Sequence, residues 1–327
     1  MTANTPKRLL ALDILRGITI AGMILVNNPG SWGHVYTPLE HAAFNGLTPT
    51  DLVFPFFMFI MGISTYISLR KYNFTYSHAT LRKIVKRTVV IFCIGLFLNL
   101  LAKSVFTHHL NFEELRYLGV MQRLAIGYGV TSLVAITVKH KYFPAIILVT
   151  LAVYFLLLAM GDGFNLSATN IVARFDVWAL GTSHMYHDGG MAFDPEGLLS
   201  TLPAVCHVMV GFYCGKLLFS AKDNDEKIQR LFLVGTILTF AGLLLSYGCP
   251  INKKVWSFGV NPLFIYVFAE IMGILLGATG ASVFIYEKVL VPVLGNYPGS
   301  LAYALLYVLF CWSIVHILYK KGIYVKI

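Results

Sequence analysis

The densest group of potentially catalytic side chains lies in residues 26–55, VNNPGSWGHVYTPLEHAAFNGLTPTDLVFP, between two strongly apolar segments. A connector between two membrane-spanning helices needs only polarity and a turn. This one also carries three asparagines, two carboxylates and two histidines, and the candidate groups among them are Asn27, Glu40, His41, Asn45 and Asp51. A histidine near its ordinary pKa can take a proton from an attacking amine or hydroxyl at neutral pH, or accept an acyl group itself. We therefore expect the active site here; the plain alternative is a loop histidine that makes an ordinary hydrogen bond.

Asp51 directly precedes the apolar run LVFPFF, where a helix is predicted to begin. A carboxylate in the first turn complements the helix dipole, and Thr48 or Thr50 can cap the same helix. Asp51 can instead orient His41 and stabilise its imidazolium. The residues alone leave both interpretations open.

Two further polar pairs interrupt apolar runs. Asp13 and Arg16 are three residues apart, so they share a helix face. They are either a neutralising pair near the cytosolic interface or a site for an anionic cytosolic ligand. Gln122 and Arg123 begin the fourth predicted span, where a buried arginine needs a partner such as Asp51, Asp194, Glu113 or an acidic ligand. The alternative is that the Arg123 side chain extends along the helix to the membrane surface (snorkelling).

The remaining motifs give weaker signals. His184, His187 and Asp188 have loop-like spacing without a helical HExxH pattern, so no metal is expected. Asp194 belongs to a turn before the sixth predicted span and could also contact substrate. No Gly-rich phosphate loop and no GxSxG motif is present.

The elements that must position these groups are membrane helices. Of the 327 residues 57% are hydrophobic and only 12% are charged, against about a quarter charged in soluble domains. The apolar runs are continuous rather than alternating, so the prediction is an all-α polytopic transmembrane helix bundle. The basic residues behind the net charge of +10 cluster in short loops, as the positive-inside rule requires, which argues against nucleic-acid binding. The five cysteines form no disulfide or metal-spacing pattern.

The predicted spans are 9–27, 51–69, 88–102, 118–137, 144–160, 198–218, 232–247, 259–279 and 300–319. The basic connector 70–87 places the N-terminus in the cytoplasm and the His41 loop on the extracytoplasmic side. Nine spans would leave Lys320 and Lys321 outside, so either 280–299 is partly embedded or a span is absent near Trp256. The connector 161–197, rich in apolar and aromatic residues, is predicted to pack as a lid.

Several blocks resemble, in chain order, the transmembrane acetyltransferases typified by heparan-α-glucosaminide N-acetyltransferase. They are LDILRG (12–17), VNNPG (26–30), EHAAFNGLTPTDLVFPFFMFIMG (40–62), LGVMQRLAIGY (118–128), FDPEGLLSTLPAV (193–205) and PINKKVWS (250–257). The resemblance implies a single transmembrane acetyltransferase domain over 1–327, with nine to ten spanning helices. By the same resemblance, one helix of the family is missing after Ser257. Such enzymes move acetyl groups from cytosolic acetyl-CoA to an amino sugar across the membrane.

The resemblance also implies roles for individual residues. The family's active-site histidine matches His41, the asparagine of its VN element matches Asn27, and the aspartate before LVFP matches Asp51. The hypothesis is that His41 acts as base or acyl carrier, Asp51 orients it, and Asn27 donates a hydrogen bond to the carbonyl oxygen. Predicted substrate contacts are Glu40, Asn45, Gln122, Arg123 and Asp194, and predicted CoA contacts are Asp13 and Arg16.

The expected partners are the lipid bilayer and an amino-sugar or glycan acceptor, with a homodimer plausible. The short termini lack the lumenal domain of the eukaryotic enzyme, so the expected location is the bacterial inner membrane. Two alternatives stay open: a catalytically inactive sugar-binding or transport protein, and an O-acyltransferase acting on glycan hydroxyls.

Overall fold

The computed structural model describes residues 10–42, 44, 48–108, 110, 112–188, 190–245 and 262–320, and only the backbone at 188, 239–245, 262–267 and 315–320. Its described part is almost entirely helical, which confirms the all-α prediction. The helices are α1 (Leu10–Asn27), α2 (Pro49–Arg70), α3 (His78–Thr107), α4 (Val120–Thr137), α5 (Phe143–Met160), α6 (Ile171–Leu180), α7 (Thr201–Ser220), α8 (Asn224–Leu245), α9 (Pro262–Ala278), α10 (Ala281–Phe284), α11 (Val291–Leu294) and α12 (Asn296–Lys320). A π-helix, Ile285–Leu290, joins α10 to α11, and the strands β1 (His187–Asp188) and β2 (Met191–Ala192) pair antiparallel.

The membrane prediction is confirmed for the described residues. Seven helices there are long and apolar enough to cross a membrane, namely α1, α2, α3, α4, α5 with the turn before it, α7 and the described part of α12. Residues 268–278 and 281–294 pass the same test as a pair bent by 78°, the geometry of a broken span or a re-entrant loop. This pair covers most of 280–299, the segment that the positions of the basic residues indicated as partly membrane-embedded. The helix predicted to be missing after Ser257 concerns residues outside the described part of the chain.

One predicted boundary was wrong by ten residues. Helix α3 begins at His78, not at 88, because Ser77 caps it: the Ser77 hydroxyl accepts a hydrogen bond from the Thr80 amide at 3.1 Å. The basic residues of the supposed connector lower its hydropathy but do not prevent a helix. Thr80, Ile84 and Ile91 are buried at helical spacing, so the basic stretch presents one apolar face.

The connector 161–197 packs, as predicted, but it contains regular structure. Asn170 caps α6 by accepting from the Val172 amide at 2.8 Å. Asp176 is fully buried and accepts from the amides of Leu198 and Leu199 at 2.9 and 3.1 Å. These bonds tie α6 to the turn that leads into α7.

The chain divides into two compact units. The first unit comprises 1–42, 47–57 and 251–327, and the second comprises 43–46 and 58–250. In the first unit α1 packs against α9 and α12. The prediction of one domain over 1–327 stays a prediction.

The second unit has a core of large apolar side chains where α3 and α7 pack on α4 and α5 packs on α7. Its fully buried members include Phe143, Phe212 and Ile84. Gly62 of α2 and Gly211 of α7 let two backbones meet, since a Cβ at either position would overlap the backbone of the other helix. The helices of this unit are therefore fixed by close packing.

Candidate active site

His41 and Asp51 form a hydrogen-bonded pair, with 2.7 Å between His41 Nδ1 and Asp51 Oδ1. The histidine side chain is 64% exposed and the aspartate side chain 22% exposed. Because the carboxylate accepts from Nδ1–H, the lone pair of the imidazole lies on Nε2, where it can take a proton from solvent-borne substrate. The pair therefore has the arrangement of a general base with its orienting carboxylate.

The other oxygen of Asp51 holds the start of α2. Oδ2 accepts from the Thr48 amide at 2.8 Å and from the Ala42 amide at 3.2 Å. The Thr48 hydroxyl lies 2.9 Å from the same oxygen and 2.7 Å from the Glu40 carbonyl. Thr48, with Pro49 at the first helical position, begins the helix in the T-x-x-D pattern of a capping box. Asp51 thus contacts both the helix start and His41, each through a different oxygen.

Two of the other predicted groups of this connector lie in the described residues. Asn27 is the last residue of α1 and is partly buried, in the same compact unit as His41. Glu40 is exposed, and its backbone carbonyl, rather than its carboxylate, carries the described contact to Thr48. Asn45 lies outside the described residues.

Asp194 is the centre of a polar cluster in the second unit. It is 1% exposed, and Arg116 binds it with two donors, Nε to Oδ2 at 2.9 Å and Nη2 to Oδ1 at 2.5 Å. The amides of Tyr186 and Glu196 also donate to it, at 3.1 and 3.0 Å. Arg116 reaches the Glu196 carboxylate as well, at 2.6 Å. Burial lowers the pKa of the Arg116 guanidinium, but the bonds and charges of the two carboxylates outweigh burial and raise it above its ordinary value.

Arg123 binds the turn that follows Asp194. Its guanidinium donates to the carbonyls of Pro195 at 2.7 Å and Gly197 at 3.4 Å and to the Ser200 hydroxyl. Asp194, one of its predicted partners, is instead bound by Arg116. The neighbouring Gln122 is 1% exposed, and within the described part of the chain its amide nitrogen has no hydrogen-bond partner.

Asp13 and Arg16 form the predicted pair on one face of α1, at 3.3 Å between Arg16 Nη1 and Asp13 Oδ1. Each side chain is about one fifth exposed. Their position near the start of α1 separates them by more than ten residues from Asn27 at its end.

His184 has a structural environment. Its Nδ1 lies 2.9 Å from the Leu115 carbonyl, and its ring stacks on Tyr117 with 4.0 Å between centroids. Among the residues that the structure describes, no group of three or more His, Cys, Asp or Glu side chains could hold a metal ion.

Sequence reasoning missed Arg116, which organises the 194–196 turn. The two residues in contact, Arg116 and Asp194, are 78 positions apart. The two nearby carboxylates of Asp194 and Glu196 indicated that a cation should bind them. No residue spacing near them in the sequence identified Arg116 as that cation.

Apolar spanning helices and an exposed histidine–carboxylate pair at a helix start define a polytopic membrane protein with a site suited to general-base chemistry. A family model described as "Heparan-alpha-glucosaminide N-acetyltransferase, catalytic" matches residues 8–247. That match covers well over half of the sequence, so the chain belongs to this family. The resemblance predicted from the sequence blocks is confirmed.

Two curated relatives carry the same name. The mouse heparan-alpha-glucosaminide N-acetyltransferase is 27% identical over 311 residues, covering 78% of this chain and 46% of the mouse protein. The human protein of that name is 28% identical over 309 residues, covering 77% of this chain and 46% of its own length. The chain therefore spans about half the length of the curated relatives that it matches.

Proposed function

We propose that this chain is a membrane acetyltransferase that moves an acetyl group from acetyl-CoA to the amine of a glucosamine-type sugar. The observation that carries the proposal is the His41–Asp51 pair, 2.7 Å apart, inside the segment that matches the catalytic family. The names of the mouse and human relatives support an amino-sugar acceptor.

In the proposed reaction His41 takes the proton that the sugar ammonium must lose before it can attack. The amine nitrogen then forms a bond to the thioester carbon, the carbon–sulfur bond breaks, and the second proton that the nitrogen must lose passes to solvent. The departing thiolate recovers the proton from the imidazolium, which Asp51 stabilises through Nδ1. Asn27 donates a hydrogen bond to the oxyanion of the tetrahedral intermediate.

A second route is open to the same residues. His41 Nε2 attacks the thioester itself, the carbon–sulfur bond breaks, and the CoA thiolate takes a proton from solvent. The sugar amine then attacks the acetyl-imidazole, the bond from the acetyl carbon to Nε2 breaks, and the protons that the ammonium loses pass to solvent. Asp51 serves both routes, because each needs Nδ1 protonated and Nε2 nucleophilic or basic.

The proposed sidedness follows the charge distribution. The N-terminus faces the cytoplasm, which in a bacterial cell makes the inner membrane the site of action, and the His41 connector faces the far side. Arg16, held on the helix face by Asp13, would then meet the phosphates of CoA at the cytoplasmic end of α1. Fourteen residues of helix separate Asp13 from Asn27, about 21 Å at 1.5 Å per residue, so the pantetheine arm must follow the helix through the bundle.

Glu40, Asn45 and Gln122 remain proposed acceptor contacts. Gln122 has a buried amide that the described residues leave unpaired, which suits a ligand hydroxyl. Arg123 and Asp194 are proposed to hold the turn at 194–200 rather than to bind the acceptor, because protein atoms already bind both side chains.

The test is acetyl transfer by the purified full chain from radiolabelled acetyl-CoA to glucosamine, with N-acetylglucosamine as the matched control because its amine is blocked. Label on the amine of glucosamine and none on N-acetylglucosamine supports the proposal. Label on the hydroxyls of both sugars would replace it with an O-acyltransferase. Absence of CoA binding and of transfer would favour an inactive binding or transport protein.

A further inference from the structure

The connector that leads to His41 is bound by residues near the other end of the sequence. The amide of Gly30 donates to the Ser300 carbonyl at 3.3 Å, and the amide of Ser31 donates to the Ser300 hydroxyl at 3.1 Å. The Ser300 hydroxyl in turn donates to the Ser31 carbonyl at 3.3 Å. A Cβ at Gly30 would lie within 3.0 Å of Tyr286, Tyr303 and Ser300, so the connector backbone passes against these residues without a side chain between. All of them belong to the first compact unit.

Tyr286 contacts the connector at His34, three residues after Ser31. Its hydroxyl lies 3.3 Å from His34 Nδ1 and 3.3 Å from the Asn296 carbonyl, and its side chain is buried. Tyr286 stands in the π-helix Ile285–Leu290, within the second arm of the bent pair. A π-helical turn changes the direction in which a helix presents its side chains and recurs at functional sites. Here it presents a buried tyrosine to the connector.

The second half of the connector is bound by the start of α2. The Thr50 hydroxyl donates to the Pro38 carbonyl at 3.4 Å, next to the bonds of Thr48 and Asp51 described above. Between the two bound regions lies a small, largely apolar depression of about 10 Å³, room for about one water molecule, lined by His34, Tyr36, Leu39, Leu25 and Leu301 among others. Several connector residues between these bonds are exposed to solvent, so the polar bonds at both ends contribute strongly to its position.

We propose that Tyr286 and Ser300 are positioning residues for the acetyl transfer. Together with Gly30, Ser31 and His34 they form a clamp, named here the connector clamp, that fixes the connector so that His41 meets Asp51 and the acceptor. The inference rests on the proposed function, because it explains how the catalytic pair is held. It assigns a role to the bent segment 281–294 that neither the sequence pattern nor the family match supplied.

The test compares Tyr286→Phe and Ser300→Ala with Tyr307→Phe. The control also removes a buried tyrosine hydroxyl from the first unit, one that donates to the Ala269 carbonyl at 2.5 Å and makes no described hydrogen bond to the connector. For each clamp variant we expect kcat to fall about five- to tenfold, the value of one hydrogen bond, with the KM for acetyl-CoA unchanged. Amide deuterium exchange at 31–42 should accelerate in the same variants. Tyr307→Phe should change neither quantity.

Two substitutions of His34 test its contact with Tyr286 directly. In His34→Asn the side-chain amide can replace Nδ1 as the partner of Tyr286, so this variant should keep most of the kcat that His34→Ala loses. In the background of Tyr286→Phe the two His34 variants should no longer differ, because their shared partner is gone.

The outcomes separate this inference from the proposed function. Wild-type kcat and unchanged exchange in both clamp variants, alongside an inactive His41→Ala enzyme, would overturn the clamp and leave the proposed function standing. Undiminished transfer by His41→Ala would overturn the proposed role of His41, and absence of transfer by the wild type would overturn the proposed function. In either case the exchange at 31–42 would still decide whether Tyr286 and Ser300 fix the connector.

Discussion

Replacing Asp51 with asparagine tests how the carboxylate serves His41. The side chain of the Asp51→Asn variant keeps the shape of the aspartate but has one acceptor oxygen where Asp51 has two. Three donors at the start of α2 surround Oδ2, from the Thr48 amide, the Thr48 hydroxyl and the Ala42 amide. The amide oxygen of the variant will therefore face the helix start, and its NH₂ group will donate to His41 Nδ1. That bond places the imidazole proton on Nε2, which removes the base.

The size of the effect follows from the exposure of the pair. A hydrogen bond to a charged group contributes about 1.5–3 kcal/mol, and the lower value applies because His41 is 64% exposed and solvent screens the pair. About 1.4 kcal/mol corresponds to a tenfold loss of rate. The imidazole tautomer with its proton on Nε2 adds to this loss of rate. Because His41 is exposed and water also binds its ring, the total loss should stay below the roughly 10⁴-fold cost of the same change in a buried serine-protease triad. We expect kcat/KM for glucosamine to fall between about 10- and 100-fold in Asp51→Asn.

The matched control is Thr48→Val, which removes a hydroxyl bond to Oδ2 and leaves the bond to His41 in place. Steady-state transfer from labelled acetyl-CoA should show less than about a threefold loss for Thr48→Val, since only the helix start is weakened. Wild-type kcat/KM in Asp51→Asn would refute the orienting role. Equal losses in Asp51→Asn and Thr48→Val would also refute it, because the carboxylate would then act through the helix start alone.

Two other predictions concern stability. Arg116→Ala leaves the buried Asp194 carboxylate without its cation, so it should lower the free energy of unfolding by about 3 kcal/mol and reduce the Tm in detergent. The control Arg174→Ala removes an exposed arginine and should change the Tm little. Equal Tm values for the two variants would contradict this prediction. The pKa of Asp162 is held at about 2, below its ordinary 3.8, by three side-chain donors, Ser167, Thr169 and Asn165. A lowered carboxyl pKa stabilises the fold above pH 4, and that contribution disappears as the pH falls from 4 towards 2. The fall in Tm between pH 5 and pH 2.5 should therefore be smaller in Asp162→Asn, and an identical fall in both proteins would show that the loop contributes nothing.

Local patterns predicted the helices and the contact between His41 and Asp51 well. Continuous apolar runs identify spanning helices because the bilayer allows little else, and His41 and Asp51 are ten residues apart in one connector. The start of α3 was missed because its basic residues reduce hydropathy, whereas Ser77 and the spacing of the buried residues determine the helix. Hydropathy measures membrane character, and helix formation follows capping and packing as well.

Contacts between distant positions could not be predicted in this way. The bond between Tyr286 and His34 joins residues 252 positions apart, and the bonds of Ser300 to Ser31 span 269. No periodicity or spacing relates such residues, because tertiary packing alone brings them together. For the same reason the sequence did not show that Arg116, 78 positions away, binds the carboxylate of Asp194.

The most direct test of the central claim is the rate of acetyl transfer to glucosamine by wild type and His41→Ala, measured side by side on purified protein of equal thermal stability. His187→Ala, which removes an exposed histidine from the short hairpin, serves as the control. The proposed mechanism predicts transfer by wild type and His187→Ala and none above background by His41→Ala. Turnover by His41→Ala at the wild-type rate would contradict it.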